Sequence, residues 1–326
     1  CIGLTRSCKL ISFHHILRSG RCDRAPRGMN HMPRTFYKHT TADTAKLILA
    51  NRKLRWSMPK LFNDPFDVPE TLVENLDENS TANGFVEITK ILALNPELPD
   101  PQHLSDIGLT LLSLFRIIND QSRDAFLSDD EPYKFDFGMI RSGFQDWRNH
   151  WRTLYKELRV ICFTERWDSA SMWDRYSEGH RGVVIEFECI ERLDSAWLAA
   201  KPVKYTDESL WCNTPLGFAS LMLYEFDYAI KKIYEEHTHT KTSDWAYEKE
   251  WRVATFSRPE DIGEYSDWLY HKDEVAGVTF GAQASDQAKV ELKSILQTHF
   301  PQAKIWQASL GTGRNLTRSL IDADPG

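Results

Sequence analysis

Three short stretches of this 326-residue chain bring together residue types that can do chemistry. In YEKEWRV, Glu248 and Glu250 stand two positions apart at the mouth of an expected strand, with Lys249 between them and Arg252 two residues further on. If the strand has begun by then, its period of two turns both carboxylates and Arg252 to one side of a sheet and Lys249 to the other. Two acids facing one way can hold a ribose diol and orient a nucleophile, or hold a metal ion. The plainer reading is a solvated strand entrance closed by an Arg252 salt bridge. In YKHT, a strand delivers His39 and Thr40 to the start of a helix, where backbone N–H groups, a hydroxyl and an imidazole can meet a phosphate or a ribose hydroxyl. A lone histidine at a strand end is also ordinary structure.

The third stretch is the longest, VICFTERWDSASMWDRYSEGHRGVVIEFE, from Val160 to Glu188. Between two expected strands it gathers Ser171, Trp173, Arg175, Tyr176, His180 and Arg181. Trp173 and Tyr176, three apart on a helix, share a face and can enclose a flat ring; core packing uses the same spacing.

These groups need elements to position them. FYKHT reads as a strand and TADTAKLILAN as a helix with Thr41 at its N-cap, Ala45, Ile48 and Leu49 on one face and Asn51 in the left-handed closing position; LRWS is the next strand. FNDPFD marks a turn anchored by Phe62 and Phe66. Residues 71–157 read as a helical insertion with two apolar stripes. One is Leu104, Ile107, Leu111, Leu114 and Ile118; the other is Phe144, Trp147, Trp151, Leu154 and Leu158. Further on come a strand in AKPVKYTD, one long helix from Thr214 to Glu236 with Pro215 at its first position, the strands AYEKEWRVATFS, GVTFG and AKIWQASL, and a helix from Ser285 to about Phe300. The alternation predicts an α+β domain over 35–310, built on a mixed or antiparallel sheet, followed by a tail over 311–326.

Composition narrows the function classes. Residues 1–34 form an Arg-rich leader expected to be disordered, which is either transit-like or sequence ahead of a start at Met29 or Met32; the second reading is preferred. Residues 1–40 carry eight Lys/Arg against Asp23 alone, so with a chain total of −7 the remainder is acidic, about −14. An acidic body argues against a broad nucleic-acid surface. No apolar run reaches the roughly 20 residues of a membrane span. Cys162, Cys189 and Cys212 form no Cys-x-x-Cys pair and are expected as reduced thiols, which points to the cytoplasm. His237-x-His239 lacks a helical i, i+4 partner, so no metal is expected there.

FNDPFD, CFTERWDSASMWDRYSEGHRGVVIEF, WAYEKEWRV and GVTFG occur in this order between about 36 and 285, a pattern that resembles the mainly bacterial family called domain of unknown function 2971. A second resemblance, to ADP-ribosyltransferases of the poly-ADP-ribose polymerase type, supplies a chemistry. It implies an ADP-ribosyltransferase-like fold with NAD as substrate. His39 would meet the adenosine ribose, Tyr176 would stack on nicotinamide, and Glu250 would be the catalytic glutamate, with Glu248 as its second acid. Thr40, Ser171, Trp173, Arg175, His180 and Arg252 are the remaining expected contacts to NAD, Trp173 competing with Tyr176 for the ring. The expected activity is ADP-ribosyl transfer or NAD hydrolysis, in a toxin or phage-defence setting. Loss of Glu250 should lower turnover and leave folding intact. The alternatives are a metal-dependent nuclease or phosphohydrolase built on Asp64, Asp67, Glu186, Glu248 and Glu250, and a module that binds a nucleotide without turning it over.

Overall fold

The structure, a computed structural model, describes residues 34–72, 76–96, 101–128, 137–313 and 315–321. Residues 1–33 of the expected leader, and 129–136 of a stretch expected as loop, lie outside the described residues. The chain divides into two compact units. One comprises residues 1–63, 157–205 and 241–326; the other comprises 64–156 and 206–240.

The first unit holds a ten-stranded sheet. Its strands are β1 (Thr35–Thr40), β2 (Lys53–Ser57), β3 (Leu158–Thr164), β4 (Val183–Glu188), β5 (Lys201–Pro202), β6 (Glu250–Phe256), β7 (Tyr265–Leu269), β8 (Val275–Phe280), β9 (Lys304–Leu310) and β10 (Leu316–Leu320). The order is β10-β9-β8-β4-β1-β3-β2-β7, with β6 pairing β3 and β5. Only the β8–β9 pair is parallel; the others are antiparallel. The α+β class with a mainly antiparallel sheet is therefore as read from the sequence. The expected AKPVKYTD strand shrinks to two-residue pieces, and the sheet runs past the boundary expected at 310, because Leu316–Leu320 pairs with β9 from Trp306 to Leu310.

Register assigns the two faces. Tyr37 lies opposite Thr164 and Glu186, and Thr164 lies opposite Glu250. Directly opposed residues share a face, so Tyr37, His39, Thr164, Glu186, Glu250 and Arg252 line one side. The other side carries the main core, including Phe36, Phe163, Ile185, Phe187, Trp251, Val253 and Phe280. Helices Ala42–Asn51 and Asp286–His299 start on the side-chain caps expected for them, Thr41 and Ser285. The left-handed closing residue of the first is Arg52 (φ 50°), one position after the expected Asn51.

The second unit is helical: Glu78–Leu94, Asp106–Ile117, Asp120–Ser128, Phe137–Glu157 (whose last residue falls in the first unit), Pro215–Leu221 and Phe226–Thr238. The aromatic stripe of the Phe137–Glu157 helix is buried as expected, and the Trp151 indole donates to the Pro69 carbonyl at 3.1 Å. The neighbouring stripe is corrected. Ile107 is 66% exposed and the buried face is Gly108, Leu112 and Phe115, because a side chain at Gly108 would collide with the Leu223 carbonyl, 2.2 Å from where its Cβ would stand. The long helix expected from Thr214 is broken at residues 222–225. There the Leu223 carbonyl accepts from the Ser105 N–H and hydroxyl, and the Glu225 N–H donates to the His103 carbonyl. These bonds use backbone groups that a continuous helix would keep for itself. The expected Phe66 anchor is 77% exposed; its N–H instead closes the turn on the Asp64 carboxylate.

Candidate active site

Glu248 ends a 3-10 helix and Glu250 opens β6, with Lys249 between them in the left-handed region (φ 47°). The two acids therefore converge through a one-residue reversal and not through strand alternation. Both are buried, at 3% and 5% exposure, and both reach one ammonium. Lys241 Nζ donates to Glu248 Oε2 at 2.8 Å and to Glu250 Oε2 at 3.2 Å. Arg252, fully buried, donates from Nε to Glu250 Oε1 at 2.6 Å and from Nη2 to Oε2 at 3.0 Å. Tyr176 completes the cluster, its hydroxyl donating to Glu248 Oε1 at 2.7 Å. The Thr164 hydroxyl donates to the Glu248 carbonyl at 2.6 Å, which fixes the backbone of the reversal against β3.

This surrounding drives the two acids apart. Burial, and then the charge of Glu250, raises Glu248 above the ordinary carboxylate range, against the pull of Lys241 and Tyr176. Burial also pushes Glu250 upward, but the charge and hydrogen bonds of Arg252, with Lys241, overcome it and hold that carboxyl at about 2. Burial and the neighbouring Glu248 raise Tyr176, so its hydroxyl stays a donor. The site can thus offer one fixed anion and one carboxyl of adjustable protonation.

The other expected residues divide. His39 and Trp173 meet each other and not the carboxylates. The His39 ring stands edge-on to Trp173 at 5.3 Å, and its Nε2 donates to the Arg166 carbonyl at 3.2 Å. Burial lowers His39 to about 4, so the ring is neutral. Trp173 is fully buried, donates to the Trp167 carbonyl at 2.6 Å and has His180 stacked on it at 5.9 Å. It is therefore corrected from a stacking platform to a core residue. Strand alternation turns Thr40 to the face opposite His39, Ser171 is exposed on the first turn of the Ala170–Tyr176 helix, and Arg252 is committed to Glu250. His180 belongs to a run of three left-handed residues, Glu178 (φ 51°), Gly179 (61°) and His180 (67°), that returns the chain to β4.

Arg175 is exposed and held by neutral groups. Its guanidinium lies 4.3 Å over the Trp245 ring, and with the Asn63 amide turned to the orientation that satisfies both groups, the Asn63 oxygen accepts from Nη2 at 2.7 Å and Nε at 3.2 Å. Lys241 Nζ lies 4.5 Å from the centre of the same indole. Lys241 and Trp245 lie between the expected long helix and the end of the Glu248–Glu250 stretch, where the sequence assigns them no site role, and Asn63 is legible only as a turn former. The one signal was the local density of Lys, Trp, Tyr and Glu between 241 and 250.

Among the described residues no group of three or more His, Cys, Asp or Glu could hold a metal ion. The acids of the nuclease reading are engaged otherwise: Glu186 is bound by Arg318 and Thr279, and Glu248 and Glu250 by Lys241 and Arg252. A surface cavity of about 330 Å³, lined by Ala42, Lys46, Arg181, Gln283 and Glu291 among others, excludes the carboxylate pair. No described helix is long and apolar enough to cross a membrane.

By fold and site this is an α+β protein with a buried, cation-bridged carboxylate pair. Residues 172–253 match the family described as protein of unknown function, DUF2971, and over that segment the family read from the sequence is shown. The match takes in Tyr176, Lys241, Glu248, Glu250 and Arg252 and leaves out His39, Thr40 and Ser171. No curated protein matches the chain, and no solved structure does.

Proposed function

We infer that the Tyr176–Glu248–Lys241–Glu250 cluster cleaves an N-glycosidic bond of a nucleotide, with NAD as the substrate that best fits the residues. The observation that carries this is the divergence of two neighbouring carboxyls over one ammonium, Glu250 held near 2 and Glu248 raised. In the reaction, the bond from ribose C1′ to the nicotinamide nitrogen breaks and its electron pair leaves with the ring, which becomes neutral. Positive charge develops on the sugar, and the fixed anion of Glu250 stabilises it. Water, or a hydroxyl or amine of an acceptor, forms the new bond at C1′ and gives its proton to Glu248. Tyr176 holds Glu248 from the other oxygen, a positioning role in place of the ring stacking expected of it.

The test is incubation of the full chain with NAD, with nicotinamide, free ADP-ribose and protein-bound ADP-ribose followed by mass spectrometry. Glu248→Gln keeps the shape and the Tyr176 contact but removes the base. It should lower nicotinamide release by about two orders of magnitude or more. A stable wild-type protein that binds NAD and leaves it intact would establish a binding module instead.

A further inference from the structure

Several described arginines near the sheet pair with a carboxylate, and Arg175 does not. Arg55, Arg166, Arg192, Arg252 and Arg318 each pair with a carboxylate. Arg175 is oriented by an amide oxygen and an indole face, neither of which neutralises it, and its Nη1 edge has no protein partner among the described residues. Holding a flexible, exposed cation still loses side-chain entropy. Three residues from separate segments, Asn63, Arg175 and Trp245, converge to do so. Its neighbour in the chain, Tyr176, contacts Glu248, and the Trp245 indole that carries Arg175 also carries Lys241, the ammonium bridging the two carboxylates.

We propose that Arg175, positioned by Asn63 and Trp245, receives a phosphate of the substrate, so that the site acts on phosphorylated nucleotides and discriminates against the corresponding nucleosides. With Nε and the inner N–H of Nη2 turned to Asn63, the planar guanidinium keeps its end-on pair, one N–H of Nη1 and the outer N–H of Nη2, a fork that recognises phosphate oxygens. Lys241 cannot serve, because both carboxylates already hold it. The inference rests on the glycosidic reading only for which bond is cut; the anion site stands on its own geometry.

The experiment compares NAD with nicotinamide riboside, which has the same scissile bond and no phosphate, on wild type and Arg175→Ala. Wild type should favour NAD in kcat/KM by more than tenfold. The variant should raise KM for NAD about tenfold to a hundredfold, with a smaller change in kcat and none in KM for the riboside. Arg175→Lys should recover part of the loss, and Asn63→Ala should move KM in the same direction by less. Equal effects on both substrates, or none on either, overturn the proposal. If neither substrate is turned over, the glycosidic reading fails and binding decides the phosphate site. ADP-ribose raising the melting temperature of wild type and not of Arg175→Ala upholds it, and no rise with wild type overturns it.

Discussion

Glu248 and Glu250 carry the same side chain and share a cation, yet exchanging them for glutamine should have different consequences. Glu250 is the counter-charge of the buried Arg252, so Glu250→Gln leaves that guanidinium uncompensated. Removing one partner of such a pair destabilises by about 3 kcal/mol or more. Urea denaturation should register that loss, whereas the sequence alone led to the expectation of intact folding. Glu248→Gln, whose wild-type carboxyl is already displaced toward the neutral form, should keep the melting temperature near that of wild type. The same displacement sets the pH dependence. As the proposed base Glu248 has to be deprotonated, so nicotinamide release should rise as pH climbs through a value above the ordinary glutamate range, and the glutamine variant should lose that limb. At this scale the pair of acids and the Arg252 bridge could be read from spacing. Lys241 could not, because nothing local distinguishes a loop lysine from one that folds back onto acids seven and nine positions later.

At the scale of elements, periodicity and caps identified most strands and helices, since they are local signals: Thr41 caps the helix expected of it, and Thr214 and Ser285 cap helices that begin where expected. The failures arose where a distant backbone competed. The Leu223 carbonyl broke one expected helix and turned the apolar stripe of another, and β7, in a stretch the sequence reading passed over, is held by pairing with β2. The connection from the Ala170–Tyr176 helix to β4 depends on the same kind of close approach. A Cβ on Gly182 would stand 2.2 Å from the Thr40 carbonyl and 2.9 Å from Ser177 Cα, both backbone. Gly182→Ala should therefore destabilise the protein by about 1–3 kcal/mol, measured as a lower urea midpoint with unchanged slope.

At the scale of the whole molecule, each unit contains a buried histidine held neutral. Burial lowers His39 in the sheet unit and His237 in the helical unit to about 4, from 6.5. A depressed pKa means that the unfolded chain takes up protons first as pH falls. The stabilisation from the neutral rings is complete above about 6.5 and is lost progressively between 6.5 and 4. Thermal melts across that window should show falling stability, and His39→Gln should make the fall shallower. The helical insertion expected over 71–157 lies close to the 64–156 segment of the helical unit, but no local signal marked 206–240 as part of the same unit. That division bears on synthesis. When residue 240 has left the ribosome every part of the helical unit exists, whereas β4 still lacks β8 and β3 still lacks β6. A nascent or prematurely terminated product of that length presents unsatisfied strand edges to other chains, so the segment after residue 240 protects the earlier strands from aggregation as well as completing the sheet.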